Sequence, residues 1–146
     1  MPSFMKHLQD IWRCSNLYKE EKLNHLEISP YQISYLINIS KYPGISQEQL
    51  SKNIYVHKSN VARQLSSLEE KGFIYRENSH IDKRVLLVYP TDKTLKILPK
   101  IKKINQEWNE LLLKDLDEKE KKLIIEFSET LSNKAKKIIE NIHQKD

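Results

Sequence analysis

Lys58, Ser59, Asn60, Arg63 and Gln64 are interleaved with Val61, Leu65 and Leu68, three apolar residues that recur at intervals of four and three. A helix with that spacing turns Val61, Leu65 and Leu68 inward and leaves the five polar side chains largely outward. Those five share one chemistry. Arginine can fork onto guanine, asparagine or glutamine onto adenine, and serine and lysine can hold phosphates. No acidic residue stands between His57 and Leu68, and Glu69 and Glu70 come only at the far end. A second group, His80, Asp82, Lys83 and Arg84, lies at the turn of "GFIYRENSHIDKRVLLVYP", where the cations again suit a polyanion. The alternative for the helix is a solvated polar face with no partner. A short helix before it and a basic hairpin after it weigh towards nucleic acid.

Other chemistries find little support. His7, His25, His57, His80 and His143 are scattered, with no H-x-x-x-H or H-E-x-x-H pair, so no metal site is expected. No Ser/His/Asp or Cys/His set can be placed in one pocket. The two glycines, Gly44 and Gly72, stand at helix boundaries and leave no glycine-rich phosphate cradle. The chain is therefore expected to be neither an enzyme nor a cofactor carrier. One cysteine, Cys14, excludes an internal disulfide and a multi-cysteine zinc knuckle. It is expected to be a small buried residue in an apolar helix, with a redox-sensing role as the alternative.

The elements that must position these residues follow from local signals. Phe4, Leu8, Ile11, Trp12 and Leu17 fall at helical spacing in a first helix, Phe4 to about Leu23. Ser29, Pro30 and Gln32 form a capping box for a second helix that stops before "YPG". Ser46 with Gln49 opens a short third helix through roughly Asn53, and "IYVHKS" breaks it. The polar helix then runs from about Lys58 to Lys71, with Gly72 as the residue that ends it. The hairpin reads as Phe73–Glu77, a turn over Asn78–Arg84, and Val85–Tyr89. Thr91 can cap a helix from Asp92 to about Lys114, and Asp117 with Glu120 starts the last one. There Phe127, Leu131, Ala135, Ile138 and Ile142 keep a 4-4-3-4 rhythm. The fold class is mainly α with a small β-hairpin: a helix-turn-helix followed at once by a two-stranded wing, a second element able to read DNA.

With 146 residues the chain fits one domain. No apolar run approaches the ~20 residues of a membrane span, and "MPSFMKHLQDIW" lacks signal-peptide order, so a cytoplasmic protein away from membranes is expected. Net charge is +5, and residues 41–91, which hold the polar helix and hairpin, carry eight basic against five acidic groups.

The stretch "GISQEQLSKNIYVHKSNVARQLSSLEEKGFIYRENSHIDKRVLLVYPT" resembles the winged helix-turn-helix of MarR-type bacterial transcription regulators. The most specific pieces are "LEEKGFIYR" and the D-x-R of "IDKRVLLVYPT", and the resemblance covers essentially the whole chain. It implies a single MarR-type domain over 1–146. Dimerisation helices would lie at about 1–28 and 115–146, the winged helix-turn-helix at about 30–91, and a connecting helix at about 92–114. It further implies a homodimer on a pseudo-palindromic DNA operator, usually as a repressor, often released by a small anionic or aromatic effector. Arg84 matches the family's wing-tip arginine at the minor groove, and Asp82 the acidic residue that braces it. Ser59, Asn60 and Arg63 match positions that read or clamp the major groove. Three residues depart from the pattern: His57 where an acidic cap is common, Pro90 where leucine usually precedes threonine, and Thr94 in place of a frequent glycine.

The terminal apolar stripes, Phe4, Leu8 and Ile11 with Phe127, Leu131, Ile138 and Ile142, are expected to meet across a two-fold axis, the alternative being packing within one chain. Such a dimer would set two recognition helices about 34 Å apart, one turn of DNA. Trp12, Arg13, Tyr18 and Tyr31 could line an effector cleft, with Arg13 meeting a carboxylate; alternatively the aromatics are core and Arg13 is solvated. A non-specific DNA-architectural protein and a helical adaptor without nucleic acid remain as competing functions.

Overall fold

A computed structural model describes Ser3–Gln144, so the outermost two residues at each end of the expected 1–146 span lie outside the described residues. The order is α1 (Ser3–Leu23), a 3₁₀ turn (Asn24–Leu26), α2 (Pro30–Lys41), β1 (Ile45–Ser46), α3 (Gln47–Ile54), α4 (Lys58–Glu70), β2 (Ile74–Asn78), β3 (Leu86–Pro90), α5 (Asp92–Leu113) and α6 (Glu118–Gln144). Two compact units divide after Trp108.

The helix starts follow their local chemistry. Ser29 and Gln32 form the reciprocal box at α2, with the Ser29 backbone N–H donating to Gln32 Oε1 at 3.3 Å. At α6 the Asp117 N–H donates to Glu120 Oε2 at 2.9 Å, and the Glu120 N–H donates to Asp117 Oδ1 at 2.8 Å. At α3 only half a box forms. Ser46 Oγ accepts from the Gln49 N–H at 3.0 Å, but the Gln49 side chain donates to Asn53 Oδ1 instead of reaching back. Thr91 differs too: its hydroxyl donates to the Gly72 carbonyl, so only the Thr91 backbone carbonyl opens α5, accepting from Leu95 at 3.1 Å.

The end of α4 is a Schellman motif. Gly72, at φ 82°, donates to the Glu69 carbonyl at 3.0 Å, and Phe73 donates to the Leu68 carbonyl at 2.9 Å. Only a glycine adopts that φ without strain, and the reversal it permits aims β2 back along α4. Phe73 is consumed by this stop, so β2 begins at Ile74 rather than Phe73.

The sheet has three antiparallel strands in the order β1-β3-β2, where the sequence pointed to two. Ile45 pairs with Val88 and Ser46 with Leu87, while Tyr75 pairs with Tyr89 and Arg76 with Val88. A two-residue strand that overlaps a helix cap shows no alternation, which is why β1 leaves no signature. In the unit before Asn109 the core gathers Tyr35, Leu36 and Ile39 of α2, Leu50 of α3, Val61, Leu65 and Leu68 of α4, Val88 of β3 and Ile101 of α5. Helix α4 thus rests on a fixed bed.

Candidate nucleic-acid interface

The turn into α4 is made by two unusual residues. Tyr55 ends α3 in the left-handed region at φ 57°, its N–H bonded to the Ser51 carbonyl. His57 then caps α4: its Nδ1 accepts from the Ser59 N–H at 3.2 Å and lies 2.8 Å from Ser59 Oγ. An imidazole fills the place of the usual Ser, Thr, Asp or Asn because its unprotonated ring nitrogen offers the needed lone pair. His57 therefore gives α4 a defined start.

Val61, Leu65 and Leu68 are all fully buried. Lys58, Ser59 and Arg63 are exposed on the opposite face, while Asn60 and Gln64 are half-buried. Arg63 Nη2 donates to Asn60 Oδ1, so the guanidinium and amide hold one another one turn apart. Lys58 Nζ lies 3.3 Å from Glu48, an exposed ion pair that a phosphate can replace at little cost. Gln64 departs from the outward placement expected for it. Its Oε1 accepts from Gln32 Nε2 of α2 at 3.0 Å, and the same amide reaches Ser67 Oγ at 3.3 Å. Gln32 is buried, and a buried amide requires partners, which draws Gln64 towards α2.

The wing tip is a lattice of short-range bonds. Ser79 Oγ accepts from the Ile81 and Asp82 N–H groups at 3.2 and 3.5 Å. Asn78 Nδ2 donates to the Lys83 carbonyl at 2.6 Å. Asp82 accepts from the Arg84 N–H at 3.0 Å and from Arg84 Nε and Nη2 at 3.1 Å each. His80, Lys83 and Arg84 are exposed around this frame. Asn78 and Ser79 were not singled out as functional, although both are turn formers whose side chains bond local backbone.

Arg76 was missed altogether. Its N–H donates to Glu69 Oε2 at 2.8 Å, and its guanidinium meets Glu69 Oε1 at 3.1 Å, Ser66 Oγ at 3.2 Å and Gln47 Oε1 at 3.3 Å. It clamps β2 to α4 and to the start of α3. No sequence pattern announces it, since its partners stand seven, ten and 29 residues away.

Electrostatics reinforce the tip. The Arg84 side chain, with its backbone N–H, holds the Asp82 carboxyl below its ordinary value of 3.8, and Asp82 in turn raises Arg84. A carboxyl whose folded-state pKa is depressed supports structure above its unfolded value and loses that support as pH falls through the folded one. The NMR carbon shift of Asp82 should therefore titrate below pH 3.8, with the Ser79–Arg84 amide signals moving at the same midpoint. An Asp82 midpoint at or above the ordinary value, or tip amides indifferent to it, would contradict the brace.

Between α4 and the wing lies a recess of about 200 Å³ lined by Gln47, Glu48, Lys58, Arg84, Val85 and Leu86. Its two cations come one from α4 and one from the wing.

The structure does not bring the four residues considered for an effector together in one cleft. Tyr18 tilts against Trp108 with centroids 5.3 Å apart, and Tyr31 against Tyr35 at 5.7 Å. Trp12 lies under Lys19 Nζ at 5.9 Å, and Arg13 is exposed. A recess of about 470 Å³ is lined by Lys22, Pro99, Lys100, Lys103, Ile104 and Glu107, and none of the four borders it. Cys14 is exposed, contrary to the buried position expected, because Ser15 and Leu23 take the inward face of α1. Phe4, Leu8 and Ile11 in α1, and Phe127, Leu131, Ile138 and Ile142 in α6, are each 42–62% exposed in the single chain. Among the described residues no cluster could hold a metal ion, and no helix is long and apolar enough to cross a membrane.

Comparison with known proteins matches the MarR family model to residues 28–86. The chain is 30% identical to the HTH-type transcriptional regulator BilQ of Clostridium symbiosum, over 79% of this chain and 80% of that protein. The crystal structure of MarR superposes with a TM-score of 0.86 at 32% identity, covering 92% of both chains. A putative MarR family regulator from Listeria monocytogenes, solved with a 26mer DNA, shares the fold at a TM-score of 0.84 and 23% identity, covering 94% of this chain and 91% of its own.

Proposed function

Because the chain belongs to the MarR family of helix-turn-helix transcriptional regulators, we propose that it acts as a cytoplasmic, homodimeric repressor that binds a pseudo-palindromic operator and is released by a small anionic or aromatic ligand. The observation that carries the DNA-contact part is the pairing of two preorganised elements across one recess, with Lys58 on α4 and Arg84 on the wing flanking it. A phosphate strand running between them would leave Asn60 and Arg63 to meet base edges in the major groove and Arg84 the minor groove. Lys58 and Lys83 supply salt-dependent affinity, and Ser59 and His80 offer hydrogen bonds to phosphates. Gln64, tied to Gln32, holds the register of α4 more than it reads a base. Dimerisation is supported by the uncovered apolar positions of α1 and α6, which a second copy would bury. Ligand release is supported by the exposure of Trp12, Arg13 and Tyr31, which leaves these side chains free to meet a small molecule.

Selection of preferred duplexes from a random pool tests the reading. Two inverted half-sites one helical turn apart are expected. Equal recovery of all sequences would favour an architectural role, and no recovery at low salt would end the nucleic-acid reading. A narrow minor groove attracts arginine through its potential rather than its base edges. Arg84→Ala should therefore weaken binding most on operators with A·T-rich flanks. A uniform loss across flanks in a competition gel would contradict the minor-groove role.

A further inference from the structure

The apex of the wing carries an apolar side chain. Ile81 is 100% exposed, whereas the next most exposed large apolar residue among those described, Leu17, is 67% exposed. Scattered surface apolar residues are ordinary, but they usually rest part of their area on the fold. Ile81 rests none. The backbone that presents it is nonetheless fixed: its N–H is held by Ser79 Oγ, the Ser79 N–H donates to the Val85 carbonyl at 2.8 Å, and the Val85 N–H donates to the Asp82 carbonyl at 2.9 Å. A β-branched side chain adds little freedom of its own. The loop therefore holds a stiff apolar knob clear of the protein, between His80 and the Asp82–Arg84 ion pair.

We propose that Ile81 is a wedge that enters the minor groove beside Arg84 and presses apart a base step, which makes the wing a reader of DNA deformability as well as groove width. This rests on the wing contact proposed above. The cations around the knob, Lys83 and Arg84, favour a polyanionic surface over an apolar protein groove. Within a duplex, an aliphatic side chain meets its complement in the sugar walls and exposed base faces of a partly unstacked step. Pyrimidine–purine steps unstack most readily, so the wedge should prefer TA or CA/TG at one flanking position per half-site. Arg84 instead favours narrow A·T tracts, and the two preferences are separable by sequence.

The experiment compares wild type, Ile81→Ser and Arg84→Ala on the operator recovered by selection. Each protein is measured on variants carrying a TA or an AA step beneath the wing, with DNA bending read by end-to-end fluorescence transfer. Ile81→Ser should bind the TA operator roughly tenfold more weakly than wild type, lose the TA-over-AA preference and bend the DNA less. The Ile81→Leu variant should restore all three. Unchanged affinity and bend in Ile81→Ser, with Arg84→Ala still weakened, overturns the wedge while leaving the wing contact in place. If both variants match wild type, the wedge and the wing contact fall together.

Discussion

Leu131→Asp is expected to convert the proposed dimer into a folded monomer and to lower operator affinity by at least a hundredfold. Leu131 is 49% exposed in the single chain, in a helix with no buried residue among those described. A substitution there should leave the stability of the protomer within about 0.5 kcal/mol. Across a two-fold axis the same change enters twice and buries two carboxylates among Phe127, Ile138 and their symmetry mates. Loss of the second half-site then removes an effective concentration on the order of millimolar, worth 10²–10⁴ in avidity. Sedimentation should give half the mass with an unchanged helical circular dichroism spectrum. A retained dimer mass would show that the α6 stripe packs elsewhere.

Arg63→Ala should cost about 2 kcal/mol per half-site, roughly thirtyfold, and close to a thousandfold for a dimer that reads both. Arg63 is exposed but not loose: Asn60 accepts one of its hydrogens, so the guanidinium loses less freedom on meeting a guanine than an untethered side chain would. The same bond makes the two residues one unit. The double substitution with Asn60→Ala should cost less than the sum of the singles. Selection with the variant should show relaxed preference at one position per half-site. A loss that is equal for every sequence, with the salt slope reduced by about one, would reassign Arg63 to a phosphate.

The residues that face the proposed partner were legible in the sequence because their inward neighbours were. Val61, Leu65 and Leu68 fix the rotation of α4, and that rotation alone exposes Lys58, Ser59 and Arg63. The Asp82–Arg84 pair was expected only through the family resemblance, and its two members, two residues apart at a turn, do meet. What stayed hidden depends on distant partners. Gln64 is held by Gln32, 32 positions away, and nothing in the spacing of α4 distinguishes it from Asn60. Strand β1 is defined only by Val88 and Leu87 opposite it. Cys14 was misplaced because α1 has apolar residues on more than one side, so the rhythm of the helix does not say which side the rest of the chain covers.

The Arg76 clamp has a mechanical consequence. By bonding Glu69, Ser66 and Gln47 at once, it welds the wing to both helices of the reading head. If the wing meets the minor groove as proposed, a head tied in this way resists sliding to follow an operator whose contact lies a base pair nearer or farther. Tolerance to length within a half-site would then be small, and in the proposed dimer any tolerance to spacing between half-sites would come from the joint between two heads. Arg76→Ala should restore the missing joint. Such a variant should accept half-sites lengthened by one base pair that the intact protein rejects, while binding the original operator less tightly.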